Sequence, residues 1–162
     1  MSDEEIARSL ERYLHEQIPL TVPMGVQVKL ATAQYVLLSA PLAPNINHHA
    51  TVFGGSGAVL ATLAAWALMH LRLTQARVRA SVVIQRSSIE YEKPILGDFC
   101  AACRFADPQD WDRFLAMLER RGRARMTLHA HLLHEAQRMA SFVGDFVALR
   151  DGENRSSCRQ LP

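Results

Sequence analysis

Apolar positions recur along this chain with two periods, 3.6 and 2, and the switches between them set the order of elements. Ser2 and Glu5 form a capping box ahead of Ile6, Leu10, Tyr13 and Leu14, which mark one face of a helix that stops near Pro19. Val26, Val28 and Leu30 then alternate with polar partners, as a half-buried strand requires, and a second strand from Tyr35 to Ala40 ends at Pro41. A polar loop, Pro44 to His49, leads into a long apolar helix from about Gly54 to Leu73. After Arg77 the period becomes two. Ala80 to Tyr91 reads as a long strand closed by Pro94 and Gly97, with Phe99 to Phe105 expected as its hairpin partner. Asp107-Pro108 marks a helix start with Asp as N-cap; Trp111, Phe114, Leu115 and Leu118 give its buried stripe and Gly122 its end. On the next strand Met126, Leu128, Ala130 and Leu132 share one face, and Arg125, Thr127, His129 and His131 the other. A last strand runs from Met139 to Leu149.

This order predicts an α+β fold in which a largely antiparallel sheet wraps around one long helix, because only enclosure explains a helix that is apolar all round. Residues 1–150 are expected to form one domain, and the polar stretch 151–162 a disordered tail. Ala50 to Met69 carries no formal charge and has the length of a membrane span, but its Ala, Gly and Thr content and its end at His70 and Arg72 favour a core helix. The acidic, amphipathic opening Met1–Glu16 does not read as a signal peptide. Three cysteines build no disulfide framework, and Cys100 and Cys103 on one strand point to opposite faces, so a cytoplasmic location is expected. A formal charge of +2 is too small to argue for nucleic acid. All Lys/Arg positions except Lys29 and Lys93 are arginine, a bias that reads mainly as codon usage, with a weak hint of anion contacts because the Arg fork suits phosphate oxygens.

The chemistry concentrates in Asn47 to Ser56, N-H-H-A-T-V-F-G-G-S, which runs straight into the apolar helix. Gly54 and Gly55 permit close backbone approach by a ligand, and the free N–H groups of a helix start favour a negative oxygen. The Asn47 carboxamide adds a second donor, so the pair suits the oxyanion or enolate formed when a thioester carbonyl reacts. Equally, the glycines serve helix packing against a strand. Thr51 either caps the helix or bonds a substrate carboxylate, and Ser56 reads mainly as a cap. His48 and His49 are either solvated loop residues or a general base.

The run N-I-N-x-x-x-T-V-F-G-G-S, followed by an Ala/Leu-rich helix with Trp66, resembles the thioesterase-like domain of the YiiD C-terminal type. The later run Ile89-x-Tyr91-x-x-Pro94-x-x-Gly97-Asp98-Phe99 fits the same pattern, and the resemblance covers most of Gly25 to Leu149. It implies a hotdog fold, a homodimer or higher oligomer with the site at the subunit interface, and an acyl-thioester substrate. That substrate would be carried on the phosphopantetheine of acyl carrier protein (ACP) or on coenzyme A, with no other cofactor and no metal. Members of this type are described as thioesterases or as malonyl-ACP decarboxylases that supply acetyl-ACP for fatty-acid synthesis.

Broader hotdog thioesterases carry H-G-G and an Asp or Glu inside the helix; here Phe53-Gly54-Gly55 and Thr62 occupy those places, and no Asp or Glu occurs between Pro41 and Ile89. Hydrolysis needs a base or nucleophile, whereas loss of CO₂ from a malonyl thioester needs only a held enolate oxygen. Decarboxylation is therefore the favoured reaction, with acyl-thioester hydrolysis and non-catalytic acyl-thioester binding as alternatives. Gln85 and Ser87, taken to share a strand face with Val83, Ile89 and Tyr91, are expected to line the pocket from the partner subunit. His129 and His131 share a strand face but lack a third metal ligand, so they read as structural. Arg120, Arg121, Arg123 and Arg125 gather around a helix end, where they complement its dipole or meet an acidic carrier.

Overall fold

The computed structural model describes residues 1–151, so the tail expected to be disordered lies, beyond Asp151, outside the described residues. The capping box forms at the start of α1 (Asp3–Gln17): Ser2 Oγ accepts from the Glu5 N–H at 3.3 Å and Glu5 Oε2 from the Ser2 N–H at 2.7 Å. β1 (Gln27–Ala31) and β2 (Tyr35–Ala40) follow, then α2 (Gly54–Gln75), β3 (Ala80–Tyr91) and β4 (Phe99–Arg104). α3 (Pro108–Arg121) precedes β5 (Arg123–His134) and β6 (Gln137–Arg150). α3 opens with Asp107 accepting from the Gln109 N–H at 2.8 Å and closes at Gly122, whose φ of 69° is the left-handed cap that glycine adopts without strain.

The six strands form one antiparallel sheet in the order β1-β2-β4-β5-β6-β3. The expected β3–β4 hairpin does not form. β3 pairs only with β6 at the sheet edge, while β4 sits between β2 and β5. Burial explains the exchange: Phe99, Ala101, Ala102 and Cys103 bury both faces of β4, which demands neighbours on each side, whereas most of β3 is exposed. Two bulges shift side chains from the simple alternation. One between Val28 and Leu30 leaves Leu30 exposed and buries Ala31. The other, between Ile84 and Arg86, places Val83 opposite Val147 on the outer face and Ser87, Ile89 and Tyr91 on the face toward α2.

α2 is the core. Leu60, Ala61, Ala64, Ala65, Ala67, Leu68 and Met69 are wholly buried, and the alanines let the strands carrying Phe99, Phe142 and Phe146 close around the helix. It is long and apolar enough to cross a membrane, yet more than half of that stretch is buried inside the sheet. Its far side is held by Trp66, whose Nε1–H donates to the Val82 carbonyl at 2.9 Å, and by the stack of Trp66, His70 and Tyr13. The two sheet edges differ. On β1 the Val28 N–H is taken by Glu11 Oε2 at 2.8 Å, and His15 Nε2 lies 2.8 Å from the Val26 carbonyl just before the strand. On β3 the one side-chain bond to the backbone among the described residues is that of Trp66 to the Val82 carbonyl, so its outer edge is open from Ile84 to Tyr91.

Candidate active site at the start of the central helix

The loop before α2 is a small hairpin. Ile46 bridges Val52, the Asn47 N–H donates to the Thr51 carbonyl at 2.8 Å, and the Phe53 N–H to the Asn45 carbonyl at 2.7 Å. Asn47 staples it from inside: Oδ1 accepts from the His49 N–H at 2.8 Å and the Thr51 N–H at 3.2 Å, while Nδ2 donates to Thr51 Oγ1 at 2.9 Å. A second Nδ2 contact, to the Val52 carbonyl, is stretched to 3.5 Å, leaving that N–H the least engaged of the group.

α2 begins at Gly54 with Phe53 as N-cap and no side-chain cap. The expected capping by Thr51 or Ser56 is not found: Thr51 turns to Asn47, and Ser56 lies inside the first turn. The first intrahelical bond runs from the Gly57 N–H to the Phe53 carbonyl, so the N–H groups of Gly54, Gly55 and Ser56 are uncapped and half exposed. The glycines divide the work. A Cβ at Gly57 would lie 2.8 Å from Leu132 Cδ1, so Gly57 lets the helix press onto β5. At Gly54 it would lie 3.3 Å from the Tyr91 hydroxyl, and at Gly55 only against the exposed Phe53 ring. Close packing thus belongs to Gly57, which no local pattern singles out, and Gly54 and Gly55 keep the helix start open.

The segment after β3 braces this loop. Tyr91 Oη donates to the Gly54 carbonyl, and burial pushes that phenol upward in pKa. The Val52 N–H donates to the Ile95 carbonyl at 2.9 Å, and the Leu42 N–H to Asp98 Oδ1 at 2.9 Å. Two sequence runs separated by the whole of α2 therefore form one unit. Ile46, Phe53, Tyr91 and Leu96 all expose apolar surface around it. Asn45 is 2% exposed; its Nδ2 donates to the Met24 and Pro41 carbonyls at 2.9 and 2.8 Å, and its buried Oδ1 has no partner. Nothing in N-I-N distinguishes its two asparagines until burial is known.

The other candidates separate. Thr62, half-buried two turns into α2, donates its hydroxyl to the Ala58 carbonyl at 2.8 Å. His48 and His49 are exposed, with ring centroids 3.8 Å apart. Ser87 faces α2 at the open edge of β3, but Gln85, at the bulge, lines a groove against α3 on the other side of the sheet. The expectation that Gln85, Ser87 and Val83 share one face is overturned by that bulge, which no period-2 count registers. Cys103 is buried with its thiol pushed up to about 12, which keeps it protonated and inert, while Cys100 lies on the opposite face. Among the described residues no three His, Cys, Asp or Glu side chains group as a metal site.

An antiparallel sheet wrapped around one long apolar helix defines a hotdog-fold protein. The chain belongs to the family described as "Putative thioesterase (yiiD_Cterm)", whose model matches residues 7–150. It is similar to a solved protein of unknown function from Chlorobaculum tepidum, at 25% identity and a TM-score of 0.87 over 93% of this chain and 98% of that one. The "putative thioesterase" of Shewanella oneidensis matches at 29% identity and a TM-score of 0.81, covering 90% and 99% of the two chains. A Haemophilus influenzae thioesterase shares the fold at 10% identity and a TM-score of 0.73, over 92% and 94%.

Proposed function

We propose that this protein is a cytoplasmic decarboxylase of malonyl-ACP that forms acetyl-ACP for the start of fatty-acid synthesis. One observation carries the reading: the uncapped start of α2 offers donors to an oxygen, while the helix position where thioesterases of this fold keep a carboxylate holds Thr62, its hydroxyl bonded to its own backbone. The C–C bond to the carboxylate breaks, its electron pair forms the enolate, and CO₂ leaves. The uncapped N–H groups near Gly54, with the weakly held Nδ2–H of Asn47, stabilise the enolate oxygen, and the α-carbon then takes a proton from water. Thr51 Oγ1, accepting from Asn47, has its own proton free for the substrate carboxylate. A nearby Asp or Glu would repel that carboxylate. Gly55, Ser56 and His48 border the same opening.

The open edge of β3 from Ile84 to Tyr91 supports a homodimer in which two β3 strands pair antiparallel and Ser87 reaches the neighbouring site. A second reading, thioester hydrolysis, draws on the family description and on the exposed His48–His49 pair, the available base in this loop. Incubation with malonyl-ACP, followed by mass spectrometry, separates them. Acetyl-ACP and CO₂ in equal amounts, falling about 10²-fold or more in Asn47→Ala, are expected for loss of one oxyanion donor. Free ACP with malonate would establish hydrolysis instead. Malonyl-ACP bound without turnover would leave a binding module.

A further inference from the structure

Nine arginines line two grooves on either side of the α3 C-terminus, each of about 810 Å³. One groove runs between α3 and β5 and holds Arg104, Arg113, Arg121, Arg123 and Arg125 above the apolar floor of Phe105, Phe114 and Met126. The other joins Arg77 and Arg79, after α2, to Arg120, Arg121 and Arg150. The chain's net charge is only +2, so this is a strong local excess. The helix dipole accounts for Arg120 and Arg121 alone. The only ion pair in the group among the described residues is Arg113–Asp110 at 3.6 Å. Arg104 lies over the Tyr35 ring, and all nine arginines are exposed over a broad surface rather than gathered around one phosphate-sized pocket. Glu119, Asp107, Asp110 and Asp151 interrupt it, a mixture that disfavours a uniform phosphodiester backbone and suits a protein of opposite dominant charge.

We propose that this face docks an acidic carrier protein that presents the thioester, an inference that rests on the proposed function. Its place in the fold serves that role. Within one subunit α2 separates the Arg77–Arg79 turn from Gly54 by about 30 Å. β3 spans the same distance, starting beside Arg79 and ending at Tyr91, which touches Gly54. Antiparallel pairing of two β3 strands therefore sets the basic end of one subunit beside the helix start of the other.

The test uses Arg79→Glu/Arg123→Glu, one exposed residue from each groove and neither in α3, with Arg12→Glu on α1 as control and thermal melts to verify folding. Holo-ACP binding, read by fluorescence anisotropy, is expected to weaken about tenfold in the double variant and in raised salt, and not in the control. KM for malonyl-ACP is expected to rise about tenfold, with turnover of malonyl-N-acetylcysteamine unchanged. Unchanged ACP binding would overturn the proposal. So would an equal rise in KM for malonyl-CoA, which would assign the arginines to nucleotide phosphates, or tighter binding of an RNA duplex than of ACP at the same salt. If the wild type turns over no thioester, the proposed function fails, while the anisotropy measurement still decides the docking face.

Discussion

Replacing Gly57 and Gly54 by alanine separates packing from chemistry at the start of α2. A methyl at Gly57 would lie 2.8 Å from Leu132 Cδ1, well inside the ~3.5–4.0 Å of a carbon–carbon contact, and Leu132 is wholly buried. Overpacking of this kind costs about 1–3 kcal/mol, and the helix preference for alanine over glycine returns up to about 1 kcal/mol. Gly57→Ala is therefore expected to destabilise by about 1 kcal/mol, lowering Tm by roughly 2–4 °C in a domain of this size. Leu132→Val removes the offending methyl group, so in Gly57→Ala/Leu132→Val the two losses are expected to be sub-additive, with a coupling of at least about 0.5 kcal/mol. Urea unfolding of the four proteins of the cycle measures it. Gly54→Ala places its methyl only against the Tyr91 hydroxyl, so its stability is expected to stay within about 0.5 kcal/mol of wild type while turnover falls as the methyl crowds the uncapped N–H groups. Additive losses in the cycle, or a Gly54→Ala enzyme with full activity, would refute the division of labour between the glycines.

Glu135 and Ala136, at the β5–β6 turn, both have positive φ (48° and 62°), where Asn-Gly is the favoured pair; Glu135→Asn/Ala136→Gly is expected to raise stability by about 1–2 kcal/mol in chemical denaturation. Burial holds His70 below its ordinary pKa, so the neutral ring is favoured in the folded state; its contribution is complete above about 6.5 and is lost as pH falls through the lowered value. His70→Phe, which keeps a ring in the stack, is expected to flatten the loss of stability below about pH 6.5 in pH-resolved melts. Val83→Lys/Ser88→Lys, on the outward face of the open β3 edge, is expected to give a monomer in analytical ultracentrifugation and to abolish turnover.

Legibility followed locality. The caps of α1 and α3, the span of β3 and the enclosure of α2 could be read because each depends on neighbours within a turn or on a burial period. Strand partners could not: β3 and β4 adjoin in sequence, yet the two-sided burial of β4 sends them to different places in the sheet. The site was legible as a segment but not as an assembly. Asn47 and Thr51 bond one another in the loop that leads to Gly54 and Gly55, so Thr51 serves Asn47 rather than the helix, and Gln85 is carried away by a bulge. Asn45, Gly57 and Tyr91 matter through contacts 20 to 75 residues distant, which no periodicity encodes.

The unequal edges of the sheet set a limit on growth. With Glu11 satisfying the Val28 N–H on one side and β3 open from Ile84 on the other, the pairing proposed through β3 would stop at two. Glu11→Ala would give the proposed dimer two further open ends. Subunits that terminate one another in the proposed dimer would become links, and the same twelve-residue strand would sit in a chain able to lengthen without a stopping point.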